Sequence, residues 1–207
     1  MVEVPEGYRD ILEKKSFVHL ATKMKDGSPQ VTPVWVEYDG EYIVVGAEGV
    51  TLFHRDSSTP LWDYGITAQV RAVAISADGE YIVTGSYDSN IYLFDKDSST
   101  PLWSYNSTSS QWLEDIAISA NGESVVVDYD DKKVYLFDKD SSTPSWSYTT
   151  GGDVKSVSIS SDGEYIAAGS LDEKIYLFDK DSSTPVWTYD TEDDVYSVAI
   201  SADGEYI

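Results

Sequence analysis

Apolar and polar residues alternate with a period of two along most of the chain. Within residues 70–105 the segments VRAVAIS, YIVTGS, IYLF and LWSY place apolar or β-branched side chains at alternate positions, which is typical of half-buried β-strands. The intervening segments ADGE, YDSN and DKDSSTP are rich in Gly, Asp, Asn, Ser and Pro, which favour turns. The pattern predicts an antiparallel meander of four short strands.

This meander recurs with a period of about forty residues. DGEYI begins at Asp39, Asp78, Asp162 and Asp203 and the variant NGESV at Asn121, so successive copies are 39, 43, 41 and 41 residues apart. The phrase LFDKDSSTP, followed by one residue and a Trp, occurs three times, and LFHRDSSTPLW is a diverged fourth copy. The predicted repeat region spans 39–207, with units 39–77, 78–120, 121–161 and 162–202 and a partial unit 203–207.

A sheet with two apolar faces buries both of them only against neighbouring sheets, so the copies are expected to stack face to face. Radial stacking of twisted four-stranded sheets gives a β-propeller. We therefore expect an all-β fold, a β-propeller of about five four-stranded antiparallel blades. We expect the recurring tryptophans to fill the gaps between blades rather than to form a ligand-stacking platform; they are Trp62, Trp103, Trp146 and Trp187.

The third strand and its flanks carry a family resemblance. YDSNIYLFDKD, residues 87–97, resembles the WD40 pattern, in which an Asp-containing turn precedes a strand that ends in Trp-Asp. Here that dipeptide is Phe-Asp, beginning at Phe94, Phe137 and Phe178, and the Gly-His pair of the family is missing. The spacing from Asp95 to Trp103 also looks like that of quinoprotein-type, PQQ-like blades. The resemblance implies a WD40-like or PQQ-like propeller, with no quinone or calcium site carried over.

Residues 1–38 differ from the repeats. PEGYRDILEKK predicts a short N-terminal helix, with Pro5 near its start, acidic residues early and lysines late. Two strands are predicted around the following KDGSP turn. The segment from Pro5 to about Ile43 resembles the N-terminus of the pyridoxamine 5′-phosphate oxidase-like split β-barrel family, particularly its deazaflavin-dependent branch, in which a helix leads into a strand ending in Leu-Ala-Thr.

The two parts of the chain meet at DGEYI. Aligning Asp39 with Asp78 places VTPVWV over VRAVAI, so the barrel-like strand can serve as the innermost strand of the first blade. Either a chimera, engineered or recombined, or an ordinary N-terminal extension accounts for this junction. VYSVAISADGEYI at the C-terminus predicts the first two strands of a further blade. Because bare sheet edges invite aggregation, we expect Phe17–Thr22 to pair with this segment and close the ring; alternatively, two incomplete rings complete each other.

Charge excludes some partners. With 37 acidic and 14 basic side chains the net charge is −23, so phosphate backbones and anionic membrane surfaces are repelled, and neither nucleic acid nor a membrane is an expected partner. The sequence has no Cys, which removes disulfides and thiolate metal sites. It shows no signal peptide and no apolar run of membrane-spanning length. We expect a soluble protein, cytoplasmic by default, whose compartment the sequence leaves unknown.

Candidate chemistry is sparse. The two histidines, His19 and His54, have no partner at metal-ligand spacing, and we expect neutral structural roles for both. No Ser-His-Asp set is evident, and the acidic groups DKD and Thr191–Val195 lack the bidentate Glu and turn Gly of a calcium loop. The sequence predicts no catalytic, cofactor-binding or metal-binding residue, and no cofactor.

In an up-and-down blade the first and third turns lie on one face, and the second turn and the interblade connection lie on the other. The copies differ on the second face, where Trp112 is the first candidate contact residue and burial over the neighbouring blade is its alternative role. The expected function is a non-catalytic propeller scaffold or protein-interaction module, with a protein partner on this face or self-association. The alternative, a flavin or deazaflavin oxidoreductase, is what the N-terminal resemblance implies, with Thr22 and Lys23 nearest to a cofactor-facing strand.

Overall fold

A computed structural model describes residues 16–23, 29–107 and 112–207, with side chains from residue 39 onward apart from 108–111. The predicted helix over residues 5–15 and most of the KDGSP turn lie outside the described residues. The described elements are all strands: β1 (Ser16–Lys23), β2 (Pro29–Tyr38), β3 (Tyr42–Gly46), β4 (Gly49–His54), β5 (Pro60–Gly65), β6 (Val70–Ile75), β7 (Tyr81–Ser86), β8 (Asn90–Asp95), β9 (Trp103–Asn106), β10 (Leu113–Ile118), β11 (Ser124–Tyr129), β12 (Lys133–Asp138), β13 (Trp146–Thr149), β14 (Val154–Ile159), β15 (Tyr165–Ser170), β16 (Lys174–Asp179) and β17 (Trp187–Asp190).

These strands form four antiparallel sheets in which sequence neighbours are hydrogen-bonded. The first sheet is β1–β5, and β6–β9, β10–β13 and β14–β17 form the second, third and fourth. The predicted four-stranded meander is therefore confirmed in the repeats. The first sheet has one strand more, because β1 pairs with β2 over its whole length, from Ser16 opposite Val36 to Lys23 opposite Pro29. This confirms the two strands predicted on either side of the KDGSP turn.

The two chain ends do not form the expected blade among the described residues. β1 is paired with β2, its neighbour along the chain, which has the lower loop-closure cost. Residues 195–207 belong to no strand, so the two strands predicted there are not found. The turn predicted between them does close, with the Ser201 nitrogen donating to the Tyr206 carbonyl at 2.9 Å. Ring closure and blade number stay predictions.

A repeated side-chain network shapes the DGE or NGE turn at four of its five occurrences, all after the first. In the second sheet, Ser76 Oγ donates to Asp78 Oδ1 at 2.6 Å and accepts from the Tyr81 nitrogen at 3.0 Å. Gly79 between them has a φ of 72°, which glycine adopts at little cost. The same Ser–Asp or Ser–Asn bond recurs at three later turns, which begin at Ser119, Ser160 and Ser201. The Asp side chain and the Gly backbone of DGE, with the Ser two residues before the Asp, therefore form this turn.

Neighbouring sheets stack through two kinds of face. One, here called the Trp face, carries the Trp of the fourth strand and the Tyr two residues later; the other, the Phe face, carries the Phe of the Phe-Asp pair. The Trp face of each of the first three sheets covers the Phe face of the next, so Phe94, Phe137 and Phe178 are 0% exposed. Burying one such ring contributes about 1.5–3 kcal/mol.

The predicted role of the tryptophans is confirmed at three of the four positions. The rings of Trp62, Trp103 and Trp146 lie 5.3, 5.6 and 5.2 Å from the Phe of the following sheet. Their indole nitrogens donate to the carbonyls of Lys96, Lys139 and Lys180 at 2.6, 2.6 and 2.7 Å. Each bond joins two sheets, so the Lys of DKD contributes its backbone to the stacking. Trp187, in the fourth sheet, has no such neighbour among the described residues.

The two ends of the sheets carry the turns as expected. At one end the first turn meets the DKD loop, as where the Lys96 nitrogen donates to the Glu80 carbonyl at 2.9 Å. At the other end the second turn meets the interblade connection, as where the Thr150 nitrogen donates to the Lys132 carbonyl at 2.8 Å. We call these the repeated end and the variable end. Differences between copies are therefore concentrated on one side of the stack.

Candidate protein-binding surface

Trp112 lies on the variable end, just before β10, and its side chain is 57% exposed. Its ring meets that of Tyr87, in the second turn of the preceding sheet, edge to face at 5.7 Å between centroids. The alternative expectation, burial over the neighbouring blade, is therefore wrong: the contact with Tyr87 leaves more than half of the side chain accessible. An exposed Trp beside a Tyr is the kind of aromatic group that anchors protein partners.

A row of alternating charges runs beside this aromatic pair. Arg71, Glu114 and Lys155 occupy the second position of the innermost strands β6, β10 and β14. Arg71 Nη2 lies 2.7 Å from Glu114 Oε2, and Lys155 Nζ lies 3.2 Å from Glu114 Oε1. The Arg71 guanidinium also lies over the Tyr87 ring, 5.7 Å from its centroid. The row connects three consecutive sheets, and its Arg71 packs against the Tyr87 ring.

The short distances between these charged side chains, together with their burial, shift the pKa values of Glu114, Lys155 and Asp130. Burial raises the pKa of Glu114, but the hydrogen bonds from Arg71 and Lys155 outweigh it, so the pKa of that carboxyl is lowered. Burial lowers the pKa of Lys155, and the bond to Glu114 outweighs it in the other direction, so the pKa of the amine is raised. Asp130 behaves differently: burial, then Glu114, raises the pKa of its carboxyl. The row stays ionised near neutral pH.

Beneath the surface the buried Asp128 is hydrogen-bonded to Asp115, a pair that the sequence patterns did not predict. Asp128 is 0% exposed, and its Oδ1 accepts from the Asp115 nitrogen at 2.5 Å. Asp115 Oδ2 in turn accepts from the Val157 nitrogen at 3.1 Å and from Ser156 Oγ at 3.2 Å, in the fourth sheet. Because Asp115 bonds to the fourth sheet, the pair joins β11 to β14 through β10.

Comparing the copies explains why Asp128 is unusual. The equivalent residues in the other sheets are Gly46, Gly85 and Gly169. A Cβ at Gly85 would lie 2.3 Å from Leu113 Cδ1 in β10, and one at Gly169 would lie 2.6 Å from Val195 Cγ1 in the C-terminal segment, because both neighbours approach the glycine backbone closely. An Asp at a position that is otherwise Gly, and a charge at the second position of β6, β10 and β14, were the sequence signals for this network.

The other candidate residues have local roles. His54 Nδ1 accepts from the Asp56 nitrogen at 3.2 Å, and its ring meets Tyr42 edge to face. In the DKD loop Asp95 Oδ1 accepts from the Asp97 nitrogen at 2.8 Å, and the Asp97 carboxylate lies 2.9 Å from Lys96 Nζ. Thr191 Oγ1 donates to the Glu173 carbonyl at 2.9 Å. These side chains form hydrogen bonds within turns and loops and stabilise them.

His19, Thr22 and Lys23 all lie in β1, where the structure describes only the backbone. Across the residues with described side chains, no three His, Cys, Asp or Glu are grouped to hold a metal ion. The described part of the chain also holds no helix with the length and apolarity needed to cross a bilayer.

Repeated four-stranded antiparallel sheets, stacked through Trp–Phe contacts, define blades of the propeller type. A family model described as WD domain, G-beta repeat matches residues 58–95 and 142–179. Each match runs from the fourth-strand region of one sheet to the Phe-Asp pair of the next, which supports the WD40 resemblance, and repeats of this family generally mediate protein–protein contacts. The matches do not reach the N-terminal segment and give no support to the split-barrel resemblance. Comparison with curated proteins found no match.

Proposed function

We propose that the protein is a non-catalytic WD40-type scaffold that binds a protein partner on its variable end, with Trp112 as the central contact. The exposed Trp112 ring beside Tyr87 carries the proposal, because Trp and Tyr are enriched among residues that dominate binding energy. The repeated units supply the rigid frame, and the loops that differ between copies supply specificity. We retain residues 1–38 as a distinct leading segment within this proposal.

Charge suggests the chemistry of the partner. The chain carries a net charge of −23, and part of this negative charge lies on the variable end, at Asp130 and in the loops that contain Glu173 and Asp193. A partner segment with Lys or Arg around an apolar side chain would be steered to this surface, and its apolar side chain would pack on Trp112. Association should then slow as salt is added, because the attraction is screened.

Selection from a random peptide display library on the immobilised full-length protein tests the proposal. We expect basic peptides with an apolar anchor, whose binding weakens at least tenfold in Trp112→Ala, since a Trp hot spot is worth about 2 kcal/mol or more. Leu102→Ala is the matched control, because Leu102 is 51% exposed at the repeated end. Peptides that bind Trp112→Ala as tightly as the unaltered protein would contradict the proposed surface.

A further inference from the structure

The Trp face of the fourth sheet is only half covered. Val195 and Val198 of the C-terminal segment lie against Gly169, at the inner half of this face. On the outer half Trp187 is 41% exposed and Tyr189 is 62% exposed. In the described part of the chain the Trp187 indole has neither a ring partner nor a hydrogen-bond acceptor, in contrast to the three preceding tryptophans. A formed half-interface is therefore exposed at this end of the stack.

The matching half-interface lies at the opposite end. Phe53 occupies the position that Phe94, Phe137 and Phe178 occupy in the later sheets, but it is only partly buried, whereas those three are 0% exposed. Arg55 stands at the position of Lys96, Lys139 and Lys180, whose backbone carbonyls accept from a Trp. The first sheet thus presents an outer Phe face of the same construction.

We propose that these two faces pair between two copies of the chain, with the Trp187 face of each copy docking on the Phe53 face of the other. The chemistry of this contact is the one that already joins the sheets three times within the chain. Two such head-to-tail contacts bring together eight sheets, the four that the described residues form in each copy. Propellers have roughly four to eight blades, so we expect the rotation of this head-to-tail contact to close the ring rather than to build a filament.

Docking has one structural consequence for the C-terminal segment. Residues 195–207 occupy the place of an innermost strand without strand pairing. They are held by backbone bonds such as Val195 to the Ser170 carbonyl at 3.2 Å, and by the serine hydroxyls that accept from Val198 and Ile200 at 3.3 and 3.2 Å. The first sheet of the second copy takes over this position, and the segment moves aside.

The net negative charge of each copy opposes dimer formation, so the dimer should show a characteristic dependence on salt. Each copy carries a net charge of −23, so two copies repel one another at low ionic strength. Salt screens that repulsion and leaves the aromatic contact intact. The dimer should therefore tighten as salt rises from about 0.05 to 0.5 M. This is the opposite of the dependence expected for the basic partner at the variable end, so the two proposals can fail separately.

Light scattering coupled to gel filtration of the full chain tests the proposal. We expect a mass of twice 22.9 kDa for the unaltered protein and a single-copy mass for Trp187→Ala and for Phe53→Ala. Thr51→Glu adds a charge to the same Phe face and replaces Phe53→Ala if that variant melts abnormally. Trp112→Ala, at the variable end, should stay dimeric.

Mixing the two single-site variants is the decisive measurement. Trp187→Ala retains an intact Phe face and Phe53→Ala retains an intact Trp face, so an equimolar mixture has one complete interface and should form a heterodimer. A single-copy mass for the unaltered protein at all concentrations and salts would overturn the proposal. So would a dimer that survives Phe53→Ala and Thr51→Glu, which would indicate two Trp187 faces meeting each other, or a mixture that stays monomeric.

Discussion

The backbone nitrogen of Asp115 donates a 2.5 Å hydrogen bond to Oδ1 of Asp128, in the neighbouring strand of the third sheet. Asp128 is 0% exposed, and its Oδ2 has no hydrogen-bond partner among the described residues. Burial, and then the negative charge of Asp115, raise the pKa of the Asp128 carboxyl well above its ordinary value. Burial therefore favours the neutral form of this carboxyl, whose Oδ1 accepts the bond that joins β11 to β10.

Asp128 should make the protein less stable as pH rises. The pKa of Asp128 is raised in the folded state, so its contribution is fully present below the unfolded value of about 3.9 and is lost as pH rises through the folded value. Asp128→Asn keeps the acceptor oxygen and removes the ionisation. The free energy of unfolding of the two proteins is compared in urea at increasing pH. The variant should become more stable relative to the unaltered protein, by up to about 1.4 kcal/mol for each pH unit over which Asp128 stays protonated in the folded state. Parallel stability profiles between pH 4 and 8 would contradict this assignment.

Asp172 provides a matched test of opposite sign. Burial raises the pKa of its carboxyl, but hydrogen bonds from the Tyr176 hydroxyl and the Gly151 nitrogen outweigh it, so the pKa is lowered. Its contribution is present above the unfolded pKa and is lost as pH falls through the folded pKa. Asp172→Asn should cost less than about 1 kcal/mol at pH 7, because the site is partly exposed, and the cost should shrink as pH falls below the unfolded pKa of about 3.9. A larger cost in acid than at neutral pH would show that the assigned sign is wrong.

Repetition made the sheets predictable from the sequence. A strand pattern that occurs once is ambiguous, but the same alternation, turn residues and Trp at a fixed period specify both the meander and its stacking. Ser76 and Asp78 are close together in the turn they form, so local chemistry defines that turn. The Trp–Lys bonds join residues 34 to 36 positions apart; the recurrence of Trp predicted packing between blades but gave no reason to expect a backbone acceptor.

The surface was harder to predict. Whether Trp112 is exposed depends on how the connection before β10 lies against Tyr87, which the local pattern does not determine. The Arg71–Glu114–Lys155 row depends on three strands from three sheets lying side by side. Exposure of Trp187 depends on whether another sheet packs on the fourth one. In each case the deciding contact is between sheets, whereas the sequence pattern reports on one sheet at a time.

The bond between the sheets can be measured at Trp103. Trp103→Phe keeps an aromatic ring near Phe137 and removes the indole donor, leaving the Lys139 carbonyl without the 2.6 Å bond it accepts. We expect a loss of about 1–3 kcal/mol in the free energy of unfolding, the cost of an unsatisfied group and of lost ring area. Trp112→Phe is the control, because Trp112 is 57% exposed, and it should change stability by less than about 0.5 kcal/mol. Equal losses in the two variants would refute a structural role for the indole bond.

Close approach of the innermost strands can be tested with one methyl group. A Cβ at Gly85 would lie 2.3 and 2.6 Å from the two Cδ atoms of Leu113, which is itself 0% exposed, so the Leu113 side chain or the backbone would have to shift. Gly85→Ala should therefore lower the free energy of unfolding by about 1–3 kcal/mol, the usual cost of overpacking. Gly65, also in a strand, has no described atom within 4 Å of a built Cβ. Gly65→Ala should be neutral or slightly stabilising, because it reduces the entropy of the unfolded chain. If chemical denaturation gave the two variants the same stability, the second and third sheets would not be in contact at Gly85.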